Sequence, residues 1–171
     1  IVTSNTSTIP ISLLVEDMPD EFRAEFAITH FFNPPRYMRL LEIVAGPDAD
    51  PDMESRVSDF ADAQMGKSVV TAKDTPGFIA NRIGTFWLQA AVPEAFRQGI
   101  GVEEADAVLG RPAGIPRTGI FGLLDLVGLD LMPHILTSFE AALPADERAT
   151  YRALAAEARR LAGRPGPGAG K

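Results

Sequence analysis

The sequence predicts a mainly α-helical fold in which a short strand-containing segment precedes a helical domain. Two apolar segments, one on each side of the turn sequence Asn33-Pro34-Pro35, have the length and the aromatic and β-branched content of strands. From Pro76 onward, the apolar residues recur at helical spacing instead. The last nine residues contain four glycines and two prolines and cannot form a core. We therefore expect a strand-containing segment over residues 1–73, a helical domain over 74–162 and a flexible tail over 163–171.

The strand-containing segment is expected to hold an antiparallel hairpin. Residues 25–32 and 37–45 are the two apolar runs, and the proline-rich sequence between them is a turn signal. Arg36 lies midway between His30 and Glu42, so pairing about that position places the histidine opposite the glutamate. Side chains alternate along a strand, and both residues share their face with apolar neighbours. The sequence thus predicts a titratable pair within an apolar surface.

The remaining elements follow from apolar spacing and from the positions of glycine and proline. Thr75 and Pro76 have the residue types of an N-cap and a first helical position, and Pro93 is expected to kink or end their helix before Gly99. Gly66 is expected to end a preceding helix, because glycine is the usual residue just after a helix. The other expected elements are strands near residue 1 and over 68–72, and helices over 11–18, 52–65, 102–109, 121–126, 129–143 and 146–161.

Composition excludes several classes of protein. Sixteen basic and 23 acidic side chains give a net charge of −7, which argues against a nucleic-acid-binding surface along the chain. With no cysteine and only two histidines, we predict no disulfide and no metal site. No apolar run approaches the roughly 20 residues of a membrane span, so we expect a soluble, cytoplasmic protein. Because the chain starts at Ile1 without a methionine, we interpret it as a piece of a longer protein.

Several short motifs occur in a fixed order along nearly the whole chain up to about residue 140. They are Ser4-Asn5-Thr6-Ser7, His30-Phe31-Phe32-Asn33-Pro34, Glu42, Asp74-Thr75-Pro76-Gly77-Phe78 with Asn81-Arg82, and Leu124-Asp125-Leu126-Val127-Gly128-Leu129-Asp130. In this combination the chain resembles the L-3-hydroxyacyl-CoA dehydrogenases. The segment over residues 114–125 is most similar to the multifunctional fatty-acid oxidation proteins, which carry an enoyl-CoA hydratase part upstream.

The resemblance implies a particular architecture and particular partners. Members of the family have an N-terminal Rossmann domain that binds NAD and a C-terminal helical domain that dimerises. The dinucleotide-binding pattern Gly-x-Gly-x-x-Gly does not occur in this sequence. The chain would then hold the last strands of a truncated Rossmann-type α/β domain and the helical domain, and we expect it to bind NAD poorly alone. An acyl-CoA substrate, a homodimer, an upstream hydratase part and a thiolase subunit are the implied partners.

The resemblance also assigns roles to individual residues. Oxidation of a secondary alcohol needs a base, and a histidine with an ordinary pKa of about 6.5 suits that role. His30 is the implied base and Glu42 its orienting carboxylate, while the Asn81 amide is aimed at the substrate oxygen. Ser7 is the implied contact to cofactor and substrate. Asn33 and Asn5 are further implied contacts to the cofactor.

Other interpretations remain open from the sequence alone. Spacing alone favours a structural interpretation, in which His30 is a core histidine hydrogen-bonded to a neighbour and Glu42 is a solvated carboxylate on a strand edge; the resemblance favours the catalytic one. The whole chain is also explained as a helical dimerisation or scaffold module that keeps the fold without chemistry. A third alternative is a hydroxy-acid dehydrogenase with a lysine-centred site, for which Lys67 and Lys73 are the candidates near the motifs.

Overall fold

A computed structural model describes residues 1–7, 9–114 and 117–128, together with positions 137, 139–141, 143–145, 147–148 and 151–152. Its contacts divide the chain into two compact units, Ile1–Arg82 and Ile83–Lys171. In the described ranges the chain combines several helices with one small four-stranded sheet. Within the same ranges, no helix combines the length and the apolar character needed to cross a bilayer. The predicted tail lies outside the described residues, as do most positions of the last two predicted helices.

The first unit is built on a four-stranded sheet with the strands in chain order. The strands are β1 (Val2–Ser4), β2 (Phe26–Phe31), β3 (Leu40–Ala45) and β4 (Ser68–Thr71). The first pair and the last pair are parallel, whereas β2 and β3 are antiparallel. The central hairpin has the predicted register, with Ala27 opposite Ala45 and His30 opposite Glu42. The returning strand begins at Leu40, later than predicted.

Three helices accompany this sheet. They are α1 (Ile11–Leu14), α2 (Asp20–Ala24) and α3 (Pro51–Met65), of which α2 is absent from the sequence prediction. The side chain of Asp50 accepts a hydrogen bond from the Asp52 N–H at 2.9 Å and caps α3. Gly66 ends that helix with a φ of 64°, a conformation that glycine adopts without steric cost. The predicted helix boundaries are therefore confirmed for α3 and are too long for α1.

The two faces of the sheet pack against different elements. On one face, residues of α1 join β2, β3 and a buried phenylalanine in a core made of Ile11, Val15, Phe26, Ile28, Val44, Ala72 and Phe78. On the other face, Leu41 and Ile43 pack with Ala61 of α3. Because alternate residues share a face, His30 and Glu42 lie on the same side as Ile28 and Val44. The titratable pair therefore sits at the edge of the first core.

The segment after β4 differs from the sequence prediction. Thr75 is not an N-cap, because the helix α4 (Ala80–Gln98) begins five residues later. Pro76 and Gly77 occupy the centre of a turn that the Phe78 N–H closes on the Thr75 carbonyl at 2.9 Å. A Pro-Gly pair favours a type II turn, and the Gly77 φ of 73° fits that geometry. The turn chemistry prevailed over the helix-start pattern.

In the second unit, the described helices pack around a small apolar core. The helices are the later part of α4, α5 (Val102–Val108) and α6 (Gly119–Val127), and the core residues are Leu88, Ala95, Ala105 and Ile120. α4 continues through Pro93, so this proline does not end the helix, and the helix ends at Gln98, before Gly99. Its predicted apolar stripe is wrong in part, because Ile83 is 65% exposed and Phe86 is 48% exposed.

Candidate active site

The centre of the candidate site is a buried hydrogen-bond contact between a histidine of β2 and a carboxylate of β3. Nδ1 of His30 lies 2.8 Å from Oε2 of Glu42. The two residues are directly opposite in the antiparallel ladder, and their exposed fractions are 6% and 1%. The alternative of a solvated strand-edge carboxylate is therefore wrong for Glu42. A histidine and a carboxylate this close in a buried place restrict the imidazole to one orientation.

The second oxygen of Glu42 contacts the start of α4. Oε1 accepts hydrogen bonds from the backbone N–H groups of Ile79 and Ala80, at 3.0 and 2.9 Å. These amides precede and open the helix, where N–H groups lack intrahelical partners and favour a negative charge. The Glu42 carboxylate therefore connects the β2–β3 hairpin to the residues at the start of α4.

These contacts determine the charge state of Glu42. Burial alone would raise its pKa, but the hydrogen bond from His30 and those from the Ala80 and Ile79 amides together outweigh it. The pKa of Glu42 therefore lies below its ordinary value of 4.5. The group is an anion at neutral pH, which is the state that can hold and stabilise a protonated imidazole.

The Pro76-Gly77 turn supplies this arrangement. Phe78 follows the turn with a φ of 47°, an unfavourable conformation for a residue with a bulky side chain. Its ring is buried and meets the His30 ring edge-on, with centroids 5.4 Å apart. Phe32 meets the same imidazole at 4.7 Å. The backbone conformation after this turn brings two amide groups to Glu42 and the Phe78 ring to the histidine.

The geometry decides which imidazole nitrogen is available for chemistry. With Nδ1 donating to an anionic carboxylate, the proton of a neutral His30 resides on Nδ1. Nε2 then carries the lone pair and is the atom that can accept a proton from a substrate. Glu42 would stabilise the imidazolium that results.

Three of the predicted contact residues follow the carboxyl ends of β1 and β2 in the sequence. β1 and β2 are parallel, with Ser4 opposite Ile28, so their carboxyl ends point the same way. Asn5 and Ser7 follow β1, and Asn33 follows β2. Ligands of α/β sheets bind outside the carboxyl ends of parallel strands.

The structure gives further detail for Asn5 and for Asn81. Oδ1 of Asn5 accepts a hydrogen bond from the Phe31 N–H at 2.9 Å, which extends the pairing of the two strands. Asn81 is the second residue of α4 and is half-buried. That position places it next to the Ala80 amide, which contacts Glu42.

Lys67 is a residue whose role the sequence reasoning missed. It is 6% exposed, and its Nζ donates to the backbone carbonyls of Pro35 and Met38. Lys73 is exposed. The lysine-centred alternative gains no support, because Lys67 is committed to backbone carbonyls and Lys73 is on the surface. Lys67 directly follows Gly66, and nothing in this sequence context indicated that the lysine would be buried.

Comparison with known proteins places the chain in a family. Residues 1–75 match the model described as 3-hydroxyacyl-CoA dehydrogenase, NAD binding domain. Residues 77–171 match the model described as 3-hydroxyacyl-CoA dehydrogenase, C-terminal domain. Among solved structures, (S)-3-hydroxybutyryl-CoA dehydrogenase from Ralstonia eutropha is similar with a TM-score of 0.76 and 28% identity, over 95% of this chain and 55% of that one.

Curated relatives agree with the family models. A putative fatty acid oxidation complex trifunctional enzyme from Rickettsia felis is 46% identical over 147 residues, which are 86% of this chain and 20% of the relative. A probable 3-hydroxyacyl-CoA dehydrogenase from Bacillus subtilis is 44% identical over 152 residues, which are 89% of this chain and 19% of the relative. The chain spans about a fifth of the length of both relatives. With both family domains matched along its length, the chain belongs to the 3-hydroxyacyl-CoA dehydrogenase family.

Proposed function

We propose that this chain supplies the acid/base site of an NAD-dependent enzyme that oxidises (S)-3-hydroxyacyl-CoA to 3-ketoacyl-CoA in fatty-acid β-oxidation. The observation that carries the proposal is the buried contact of 2.8 Å between His30 Nδ1 and Glu42 Oε2. A structural role alone would not require an ionised carboxylate whose two oxygens hold an imidazole and two helix amides. Membership of the dehydrogenase family supports the same reaction.

In the proposed reaction, His30 acts as the general base. Its Nε2 accepts the hydroxyl proton of the substrate, while the Nδ1 proton remains on the contact to Glu42. The positive charge that forms on the ring is stabilised by the buried carboxylate beside it. The Phe32 and Phe78 rings flank the imidazole and limit the access of water to it.

NAD is the proposed cofactor, and the residues present fit its reactive end. Asn5, Ser7 and Asn33 at the carboxyl edge of β1 and β2 offer hydroxyl and amide groups to a nicotinamide or to the substrate. NAD would accept the hydride that leaves the carbinol carbon. The glycine-rich phosphate-binding sequence is not part of this chain, so binding of the remainder of NAD depends on other residues of the parent protein.

Asn81 is proposed to stabilise charge on the substrate oxygen. It lies in the first turn of α4, where amide groups and the helix dipole favour negative charge. A side-chain N–H donor there is worth most as the alkoxide or ketone oxygen gains charge. Ser7 is proposed as a second contact to the substrate.

The test is an assay of the full-length protein that carries this chain. We expect it to reduce NAD when given an (S)-3-hydroxyacyl-CoA, and we expect His30→Gln and Glu42→Gln to lower kcat about 10²- to 10⁴-fold. NAD affinity should change little in both variants. Glu16→Gln, a substitution at an exposed glutamate, is the matched control and should retain full turnover. A well-folded but inactive parent protein would contradict the proposal and favour the scaffold alternative.

We further propose the setting in which this site works. The parent is proposed to be cytoplasmic, to carry an enoyl-CoA hydratase part, to bind a thiolase subunit and to form a homodimer through the helical domain. The name of one relative, a putative fatty acid oxidation complex trifunctional enzyme, supports only the multifunctional character of this setting. The reading frame upstream of Ile1 tests the first element of this setting. A hydratase sequence followed by Gly-x-Gly-x-x-Gly is the expected result, and a frame without either would contradict it.

A further inference from the structure

Among the residues that the structure describes, Lys67 is a buried charged residue that the proposed mechanism does not use. Burying an ammonium group is costly, and lysine is almost never fully buried unless it is paired. Its exposed fraction is 6%, yet among the described residues no carboxylate forms an ion pair with it. Its partners are the Pro35 and Met38 carbonyls, the latter at 2.8 Å, and the Phe31 ring at 5.5 Å. The cation is therefore held by one loop and by the strand that leads into it.

The loop in question is the connection between β2 and β3. Residues 33–39 are exposed, so little apolar burial fixes the conformation of this loop. Within it, the N–H groups of Tyr37 and Met38 donate to the Pro34 carbonyl at 3.0 and 3.1 Å. The Lys67 ammonium adds contacts from outside the loop to two of its carbonyls. A second contact from outside the loop comes from the Ser68 N–H, which donates to the Arg39 carbonyl at 2.8 Å at the start of β3. Because hydrogen bonds from a charged donor are stronger than neutral ones, Lys67 is the anchor for the middle of the loop.

Lys67 is itself held in place from the other side. Its backbone N–H donates to the Ala61 carbonyl at 3.0 Å, and Gly66 before it ends α3. The side chain thus runs from the end of a long helix to the hairpin loop. Asn33 begins that loop three residues after His30, at the edge where the nicotinamide contacts are proposed.

We propose that Lys67 is a positioning residue that fixes the β2–β3 loop, and with it Asn33, for cofactor binding. The proposal rests on the proposed function, because it assigns the loop a role in holding NAD. Lys67 itself touches neither the His30 ring nor Glu42 in any contact that the structure shows. Its loss should therefore weaken NAD binding without disabling the base.

Lys67→Met in the full-length protein tests this role, because methionine keeps the unbranched apolar stem and removes all three donors. Lys73→Met, at the exposed lysine beyond β4, is the matched control. We expect KM for NAD to rise about tenfold or more in Lys67→Met, as the loss of two charge-assisted hydrogen bonds implies, with kcat within about threefold. The control should match the unsubstituted protein. A fall in kcat at unchanged KM, or no change at all, would overturn the proposal.

Amide hydrogen exchange gives a readout that does not depend on activity. In the unsubstituted protein, the Tyr37 and Met38 amides should be protected, and in Lys67→Met they should exchange about tenfold faster while the β2–β3 ladder amides stay unchanged. If both loop amides exchange freely in the unsubstituted protein, Lys67 does not anchor the loop. This result would overturn the proposal even if Lys67→Met does not fold. The unsubstituted protein could instead show no turnover while its loop amides are protected. That result would count against the proposed function but would still support the role of Lys67 in fixing the loop.

Discussion

Oε2 of Glu42 lies 2.8 Å from Nδ1 of His30 across the β2–β3 ladder, and both side chains are buried. The other oxygen of the same carboxylate accepts from Ile79 and Ala80 at the start of α4. Because one group serves both contacts, Glu42 contributes to folding as well as to the proposed chemistry. The two contributions can be separated by measuring stability and turnover in the same variants.

The contribution of Glu42 to stability should depend on pH. Its folded-state pKa lies below the ordinary value of 4.5, so the ionised group stabilises the fold above that pH. The contribution is lost as the pH falls through the lower folded-state pKa. We expect urea unfolding to show a large loss of unfolding free energy in Glu42→Gln at pH 7 and a much smaller loss at pH 3.

The control for this titration is Glu16→Gln, at an exposed glutamate. It should change the unfolding free energy by less than about 0.5 kcal/mol at both pH values. An equal destabilisation of Glu42→Gln at pH 7 and pH 3 would contradict the assignment of a depressed pKa to Glu42.

Asn81→Ala should lower kcat more than it lowers NAD affinity. The amide is proposed to donate to the substrate oxygen, and removal of one such donor costs about 10²- to 10³-fold in kcat. Asn81→Asp should be at least as damaging, because an ionised carboxylate cannot donate and repels a developing negative charge. Steady-state kinetics on the full-length protein measures both variants. Turnover in Asn81→Ala equal to that of the unsubstituted protein would remove Asn81 from the site.

Two glycines of the second unit should respond in opposite ways to alanine. Gly119 has a φ of 70°, and a Cβ there would lie 2.5 Å from Oδ1 of Asp106. That carboxylate accepts from the Phe121 and Gly122 amides at 2.7 and 3.0 Å, so it cannot move without breaking the start of α6. We expect Gly119→Ala to destabilise the protein by about 2 kcal/mol or more in urea unfolding.

Gly84→Ala is the matched substitution. Gly84 lies inside α4, and its added Cβ would meet nothing within 4 Å. Alanine has the higher helix propensity, so the variant should gain about 0.5–1 kcal/mol. Destabilisation by Gly84→Ala, or tolerance of Gly119→Ala, would show that the helix packing around these positions differs from the structure described.

The hairpin was predictable because residues close together in the sequence determine it. The proline-rich turn and the symmetric apolar runs about Arg36 determine the register, and the register determines that His30 faces Glu42. The resemblance to known dehydrogenases then gave the pair a chemical role. The helix α3 was likewise predictable from apolar spacing and its glycine stop, and α5 from its residue pattern alone.

The contacts that complete the site were not predictable in the same way. The Ile79 amide is 37 positions from Glu42 in the sequence, and only the folded chain brings the two together. The Pro-Gly pair at residues 76–77 did carry a signal for a type II turn, but Thr75 and Pro76 also fit a helix start. Lys67 gave no signal, because a lysine in a sequence is ordinarily solvated.

The most direct test of the account is the tautomer of His30 measured by ¹⁵N NMR. The chain has two histidines, so His134→Gln assigns the signals. With the imidazole neutral, we predict a protonated Nδ1 that donates to Glu42 and a bare Nε2 that is free to accept a proton. A proton on Nε2 with a bare Nδ1 would contradict the account, because the atom facing the substrate would then have no lone pair to act as a base.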